Sequence, residues 1–552
     1  LTLSLLVAFG FGSFAPFVQT VNNVDYFTLK DHPDQKFYEE FKEVFGNDEF
    51  FVIAFEKEEI FTPENLRLVK DITQELEALD LVRDVVSLAN VDNIVGEEDY
   101  FSVSQFLEEI PDTETGLSKL RQQALGNPLY TKNLISLDAK TTAIVVFAYE
   151  RPKDPDYREK LLAQTHTIFE PHKDSTRFHL AGWTVTNYRL SQYMQKDLAT
   201  FIPITYVLIA IVIFAFFRNL RLTILAVVTI SACMASTMGL FRILGIPINN
   251  VTTIIPPLVM ALALADVVHI FSHMQRSVLE QFQTRSKALA HVLNQVAAPC
   301  LLTTLTTAAG FLSLAVSDLE PIRQFAFLAS AGMVFEFFFA FCLLPPLLMF
   351  FEPETIFFQP RYFGTVNRLL TSIHDLVKIH NVKVSILGSL LVMGSLLAAT
   401  WINVETNVVE YFKKKTEVRN AISFVEDRLS GVSSLDVSIT SKNRGGLKEP
   451  ERLDKIEALE EYIQSLPGVD SATSFIHFIK EMNASFHNED QAYYRVPKSQ
   501  ALISQYLLLY DADDMQEFIN RHYDHMRIMV RLDEHNSPEQ ARIISDIRDH
   551  VH

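Results

Sequence analysis

The sequence predicts an α-helical polytopic membrane protein with α+β domains outside the membrane, built by internal duplication. Three observations lead there. Hydrophobic residues, 48% of the 552-residue chain, gather into runs near or above the ~18–20 residues that cross a ~30 Å hydrocarbon layer. Charge is partitioned: residues 218–402 hold 11 Lys/Arg against 8 Asp/Glu, a net of +3, which leaves −22 for the rest of a chain whose total is −19. Finally, two stretches far apart in the sequence repeat one another at a nearly constant offset.

The elements follow in order. Leu1–Val18 is apolar and reads as the remainder of a first membrane helix (1–18), in a chain read as a fragment of a longer protein. An acidic α+β domain occupies 19–197. The runs Leu198–Phe217, Leu222–Leu244, Thr252–Ser272, Pro299–Val316 and Gln324–Phe351 form helices two to six (198–351). A linker (352–383) leads to helix seven (384–402), and a second, incomplete acidic domain fills 403–552. Arg218, Arg221, Arg276, Arg285, Lys287, Arg361, Arg368, Lys378 and Lys383 lie in alternate loops, whereas 245–251 and 317–321 contain no Lys or Arg. The positive-inside rule places the basic loops and the linker in the cytoplasm. Both acidic domains then face the other side, which in a bacterium is the periplasm of an inner-membrane protein.

The repeat is read at an offset of 385–387 residues. Val24-Asp-Tyr-Phe27 matches Val409-Glu-Tyr-Phe412. A helix (Gln35–Phe45, Val418–Leu429), a strand (Phe50–Phe55, Leu435–Thr440), a longer helix (Pro63–Leu79, Pro450–Leu466) and a second strand (Val82–Leu88, Val469–Phe475) follow in both copies. The first copy continues with a strand at Thr141–Tyr149, a helix at Asp154–Phe169 and a strand at Arg177–Ala181. Two β-α-β units of this kind make a split βαβ, ferredoxin-like α+β domain. Duplication with a membrane helix leading each copy is a transporter architecture, and extrapolating the repeat gives twelve helices.

Asp266 stands in the otherwise apolar helix four, where a carboxylate at bilayer depth costs about 2.5–3.5 kcal/mol on insertion scales. It is expected to face a partner or a water path, as a proton relay or an interhelical hydrogen-bonding group. His269, three residues on, extends the relay toward the cytoplasm or sits at the interface. Glu336 of helix six, at similar depth, belongs to the proton path, to a packing contact or to the lipid face. Thr303, Thr304, Thr306, Thr307 and Gly310 of helix five suit close helix packing, or a polar lining for the acid. Pro256 and Pro257 are expected to kink helix four, as a hinge or a static bend. The amphipathic stretch 273–298 lies on the membrane surface or simply connects two helices. No Gly-rich phosphate loop, nucleophile–base set or metal-spaced His/Cys set occurs, so no enzyme activity, cofactor or metal is expected. Cys233, Cys300 and Cys342 all lie in apolar runs, and the acidic domains exclude nucleic-acid binding.

Gly182-Trp-Thr-Val-Thr-Asn187, Ala265-Asp-Val-Val-His269, Leu305-Thr-Thr-Ala-Ala-Gly-Phe-Leu-Ser-Leu314, Pro321-Ile-Arg-Gln-Phe325 and Leu344-Pro-Pro-Leu347 resemble the resistance–nodulation–division (RND) superfamily. The likeness is to its branch of MMPL-type lipid exporters and hopanoid transporters. Helices two to six resemble the sterol-sensing module of Patched-like proteins. The resemblance implies proton-driven export of a hydrophobic or lipid cargo (sterol, hopanoid or acyl lipid), with Asp266 at the relay position. Leu262 replaces the usual Gly of the Gly-x-x-x-Asp pattern. Protons, membrane lipids, and a periplasmic carrier or a homo-oligomer are the implied partners. Two rivals stay open: a sterol- or lipid-sensing receptor without net transport, and a protein-secretion accessory of the SecDF kind.

Overall fold

A computed structural model describes the chain except for residues 21–31, 47–48, 98–99, 152, 153, 155, 283, 358–363, 403–406, 511–513 and 552. The Val24–Phe27 half of the repeat lies outside the described residues. The chain starts with α1 (Thr2–Gly12). Next come α2 (Pro33–Phe45), β1 (Phe50–Glu56), α3 (Pro63–Glu77), β2 (Val82–Val86), β3 (Asp92–Glu97), β4 (Tyr100–Gln105), α4 (Glu114–Gly126), β5 (Thr141–Ala148), α5 (Tyr157–Phe169) and β6 (Phe178–Ala181). The long helices are α6 (Trp183–Phe217), α7 (Leu220–Ile243), α8 (Ile255–His273), the short α9 (Arg276–Gln281), α10 (Arg285–Ser313) and α11 (Glu320–Cys342). They are followed by α12 (Leu344–Leu348), α13 (Pro353–Ile356), α14 (Gly364–Ile379) and α15 (Asn381–Ala399). The remainder is α16 (Glu417–Arg428), β7 (Ser433–Thr440), α17 (Pro450–Gln464), β8 (Val469–Ser474), α18 (Ile476–Phe486), α19 (Gln500–Leu509), β9 (His525–Leu532) and α20 (Ser537–Val551). By internal packing the chain divides into two units, Leu1–His32 with Leu190–Val404 and Pro33–Arg189 with Glu405–His552.

In the first unit, six helices among the described residues are long and apolar enough to cross a membrane. They lie at Trp183–Phe217, Leu220–Ile243, Thr252–His273, Arg285–Val316, Glu320–Leu348 and Asn381–Ala399, and the apolar helix Thr2–Phe17 is shorter. Local chemistry sets their ends. Asn219 caps α7 by accepting from the backbone N–H of Arg221 and Leu222, and Thr284 caps α10 through Lys287 N. Pro345 and Pro346 cannot continue the α11 hydrogen-bond ladder, so the helix stops at Cys342 and restarts as α12.

The expected proline kink is corrected. Pro256 and Pro257 sit in the first turn of α8, after a 3-10 turn at Thr252–Ile254. There the missing N–H leaves no intrahelical bond unmade, so they start the helix rather than kink it. The prolines inside helices are Pro203 of α6 and Pro299 of α10. Helix α10 runs unbroken through Pro299, so the second half of the amphipathic 273–298 stretch is continuous with helix five. Helices α7, α8 and α11 pack on one another, and α1 packs on α7. Gly239 meets the Phe11 backbone, where no side chain fits.

In the second unit, β1, β2, β5 and β6 form one antiparallel sheet in the order β2-β5-β1-β6, with α3 between β1 and β2 and α5 between β5 and β6. Phe51, Ile53, Ile144 and Val146 alternate onto the face that packs with Ile72, Leu76, Leu161 and Leu162. The second sheet has the order β7-β9-β8, with α17 between β7 and β8. Its Met526, Ile528, Val530 and Leu532 join Leu453, Ile463 and Phe475 in a core. The two sheet domains are tied by Lys132–Asp470 at 2.6 Å, Arg428–Glu56 at 3.1 Å and Arg83–Glu517 at 3.3 Å.

Candidate functional site

Two acids meet inside the apolar bundle. Asp266 of α8 and Glu336 of α11 are 5% and 3% exposed, and α8 packs against α7, α10 and α11. Their carboxyl groups face each other within interaction range. Thr304 of α10 lies beside Glu336, and the Cys300 thiol lies beside Asp266. Asp266 Oδ2 is buried without a hydrogen-bond partner among the described residues. Cys300 and Thr304 share the buried stripe of α10 with Val296 and Ala308, because residues four apart stack on one helix face.

Close helix contacts hold the pair in place. A Cβ on Gly332, one turn before Glu336, would lie 2.6 Å from Val259 Cγ2 of α8, so the missing side chain lets α11 approach α8. Ser330 Oγ donates to Ala308 O at 3.0 Å and ties α11 to α10. Cys233 Sγ donates to Gly332 O at 3.8 Å from α7.

The other residues read from the sequence are more scattered. His269 lies one turn from Asp266 with an exposed side chain. Thr303 and Thr306 are exposed and donate to carbonyls of their own helix, Pro299 O at 3.0 Å and Leu302 O at 2.9 Å. Thr307 is half-buried, and Gly310 has open space where a Cβ would sit. Gly332 and Cys300 were not singled out from sequence. The signal for Gly332 was its spacing of four from Glu336.

A second feature lies in the sheet-bearing unit, where a cavity of about 150 Å³ opens between the two sheets. Its walls are mostly apolar: Phe50, Val52, Val145 and Phe147 from the first sheet, Leu429 from α16 and Met529 from β9. Nearby, burial pushes the Glu481 carboxyl up to about 7, while His477 and the Asn127 amide favour its charged form. Asn127 Nδ2 donates to it at 2.9 Å. An acid raised by folding holds its proton more tightly in the folded state. Stability contributed by Glu481 is therefore lost as pH rises from the ordinary 4.5 through 7. Burial raises Asp436 and Glu517 in the same sense, whereas His179 and His525, lowered by burial, act oppositely. Calorimetry at pH 5 and pH 8 is expected to show Glu481→Gln losing less stability between those values than wild type. An equal loss would contradict the assignment.

A model of the MMPL family matches residues 35–369, a span that takes in the first sheet domain, Asp266 and Glu336. The chain belongs to the MMPL family. The RND/MMPL resemblance read from the sequence therefore holds at family level. The protein is a multi-pass membrane protein of a family of RND-type transporters for lipid-like molecules rather than of enzymes. Among curated proteins, no sequence matches this MMPL chain.

Proposed function

We propose that this MMPL chain is the proton-driven exporter of a lipid-like cargo across a bacterial inner membrane, with both sheet domains in the periplasm. The observation that carries the reading is the Asp266–Glu336 pair, buried where α8, α10 and α11 converge. Two carboxylates at close range in a low-dielectric bundle repel strongly, so loading and unloading protons alters how α8 and α11 pack. His269, exposed one turn along α8, is the exit toward the basic loops. One proton moving inward through 100 mV releases about 2.3 kcal/mol, enough to drive small rearrangements.

The sheet orders support two ferredoxin-like copies: β7-β9-β8 repeats the order β1-β5-β2, with α17 in the place of α3. The apolar cavity between them favours a lipid over a polypeptide as cargo. At about 150 Å³ it matches a cavity that holds a benzene-sized group, so a whole lipid enters only as the domains part. The test is movement of a labelled lipid in proteoliposomes. Export is expected with an inward-directed proton gradient and not without one. Lipid binding with no movement under the gradient would favour a receptor.

A further inference from the structure

The cavity is not uniformly apolar. A recess of about 40 Å³ shares Phe50, Phe147, Met529 and Arg531 with the main cavity and adds Asp436, Arg527 and Ser434 to its wall. β9 alternates, so Ile528, Val530 and Leu532 fill the core while Arg527, Met529 and Arg531 point the other way, toward the first sheet. The charges there are unequally committed. Arg527 bonds Glu517 at 2.9 Å and lies 3.9 Å from Asp436. Arg83 also pairs with Glu517, at 3.3 Å. Arg83, Arg527 and Arg531 thus stand around Glu517 and Asp436, with Asp84 and Asp470 as further acids in range. Arg531 Nε is buried with no hydrogen-bond partner among the described residues, and its guanidinium stands 5.8 Å from the Phe50 ring centroid. Asp470, another acid in range, is held by Lys132 at 2.6 Å. Asp436 is also in range of Arg531, and its Oδ1 is likewise buried without a partner.

We infer that the cargo is an amphiphile with a carboxylate head, which Arg531 engages while the tail lies between Phe50, Phe147 and Met529. A buried guanidinium whose Nε makes no hydrogen bond among the described residues is costly, and a planar carboxylate matches its fork of donors. The recess has room for roughly three water-sized groups, which fits a carboxylate and not a substituted phosphate. The inference rests on the cavity being the cargo site.

The experiment uses the full chain in nanodiscs. A 16-carbon fatty acid bearing a photoreactive diazirine is compared with the corresponding alcohol, and labelled peptides are mapped by mass spectrometry. The acid is expected to label the peptides of Phe50, Phe147 and Met529 about ten times more efficiently than the alcohol. Arg531→Gln should erase that preference, and Arg531→Lys, which keeps a charge, should retain part of it. Equal labelling by acid and alcohol, unchanged in Arg531→Gln, would overturn the carboxylate assignment and leave the cavity as a lipid site. Absence of cavity labelling by both probes would overturn the assignment and the cavity reading together.

Discussion

Asp266→Asn is expected to lower gradient-driven export by a hundredfold or more while leaving the protein folded and the cavity able to bind lipid. The side chain is isosteric, and Asp266 Oδ2 makes no hydrogen bond among the described residues, so little packing is lost. What disappears is the exchangeable proton beside Glu336. Glu336→Gln should have the same sense, with a smaller effect if Asp266 still loads protons alone. Thr304→Val probes the setting of the pair, since it removes the hydroxyl beside Glu336 at nearly constant volume. Rates measured in proteoliposomes beside lipid binding to the same preparations decide the matter. Equal loss of binding and transport would point to misfolding, and full activity in both acid variants would remove the pair from the mechanism.

The largest loss of stability is expected from Glu49→Ala. Glu49 and Arg158 form a double contact with side chains 7% and 13% exposed. Thr184 Oγ1 donates to Glu49 Oε2 at 3.1 Å and also contacts Phe50 O at 3.2 Å. Removing the carboxylate takes the buried Glu49 out of its ion pair with the half-buried Arg158, and breaking a buried pair typically costs about 3–5 kcal/mol. Thr184 lies in the Gly182–Asn187 stretch. Gly182 has φ +111°, and a Cβ there would lie 2.9 Å from Phe51 Cα, so the start of α6 docks on β1 where only glycine fits. Thermal unfolding should fall markedly in Glu49→Ala and recover in part in Glu49→Ala/Arg158→Met. Additive losses in the double variant would show that the two charges do not act as a pair.

Much of this was legible in the sequence because it depends on periodicity and composition. The membrane helices declare themselves as apolar runs, and the strands and helices expected in both acidic domains are found as β1, α3, β2, β7, α17 and β8. Helix boundaries next to proline were less legible. Pro299 reads locally as a helix start, yet a membrane helix tolerates it once neighbouring groups satisfy the freed carbonyl. The β3–β4 hairpin and α4 were missed because, among the described residues, no strand between β8 and β9 matches them. In the site, the isolated acids Asp266 and Glu336 stood out singly. Their meeting depends on how α8 and α11 face each other, which one helix pattern does not record. Gly332 shows this well: its role is to have nothing between α11 and Val259. Arg531 was invisible for the same reason, since the unbonded state of its Nε among the described residues is a property of packed neighbours. Glu49 and Thr184, 135 residues apart, are another such contact.

The most direct test of proton-coupled export is the proton flux itself. Proteoliposomes holding the complete protein and a pH-sensitive dye inside are given an outward-facing lipid acceptor and a proton gradient. Internal pH is then followed with and without cargo. The account predicts proton movement that rises with cargo and vanishes in Asp266→Asn. Cargo export at full rate with no accompanying proton movement, or proton movement indifferent to both cargo and Asp266, would contradict it.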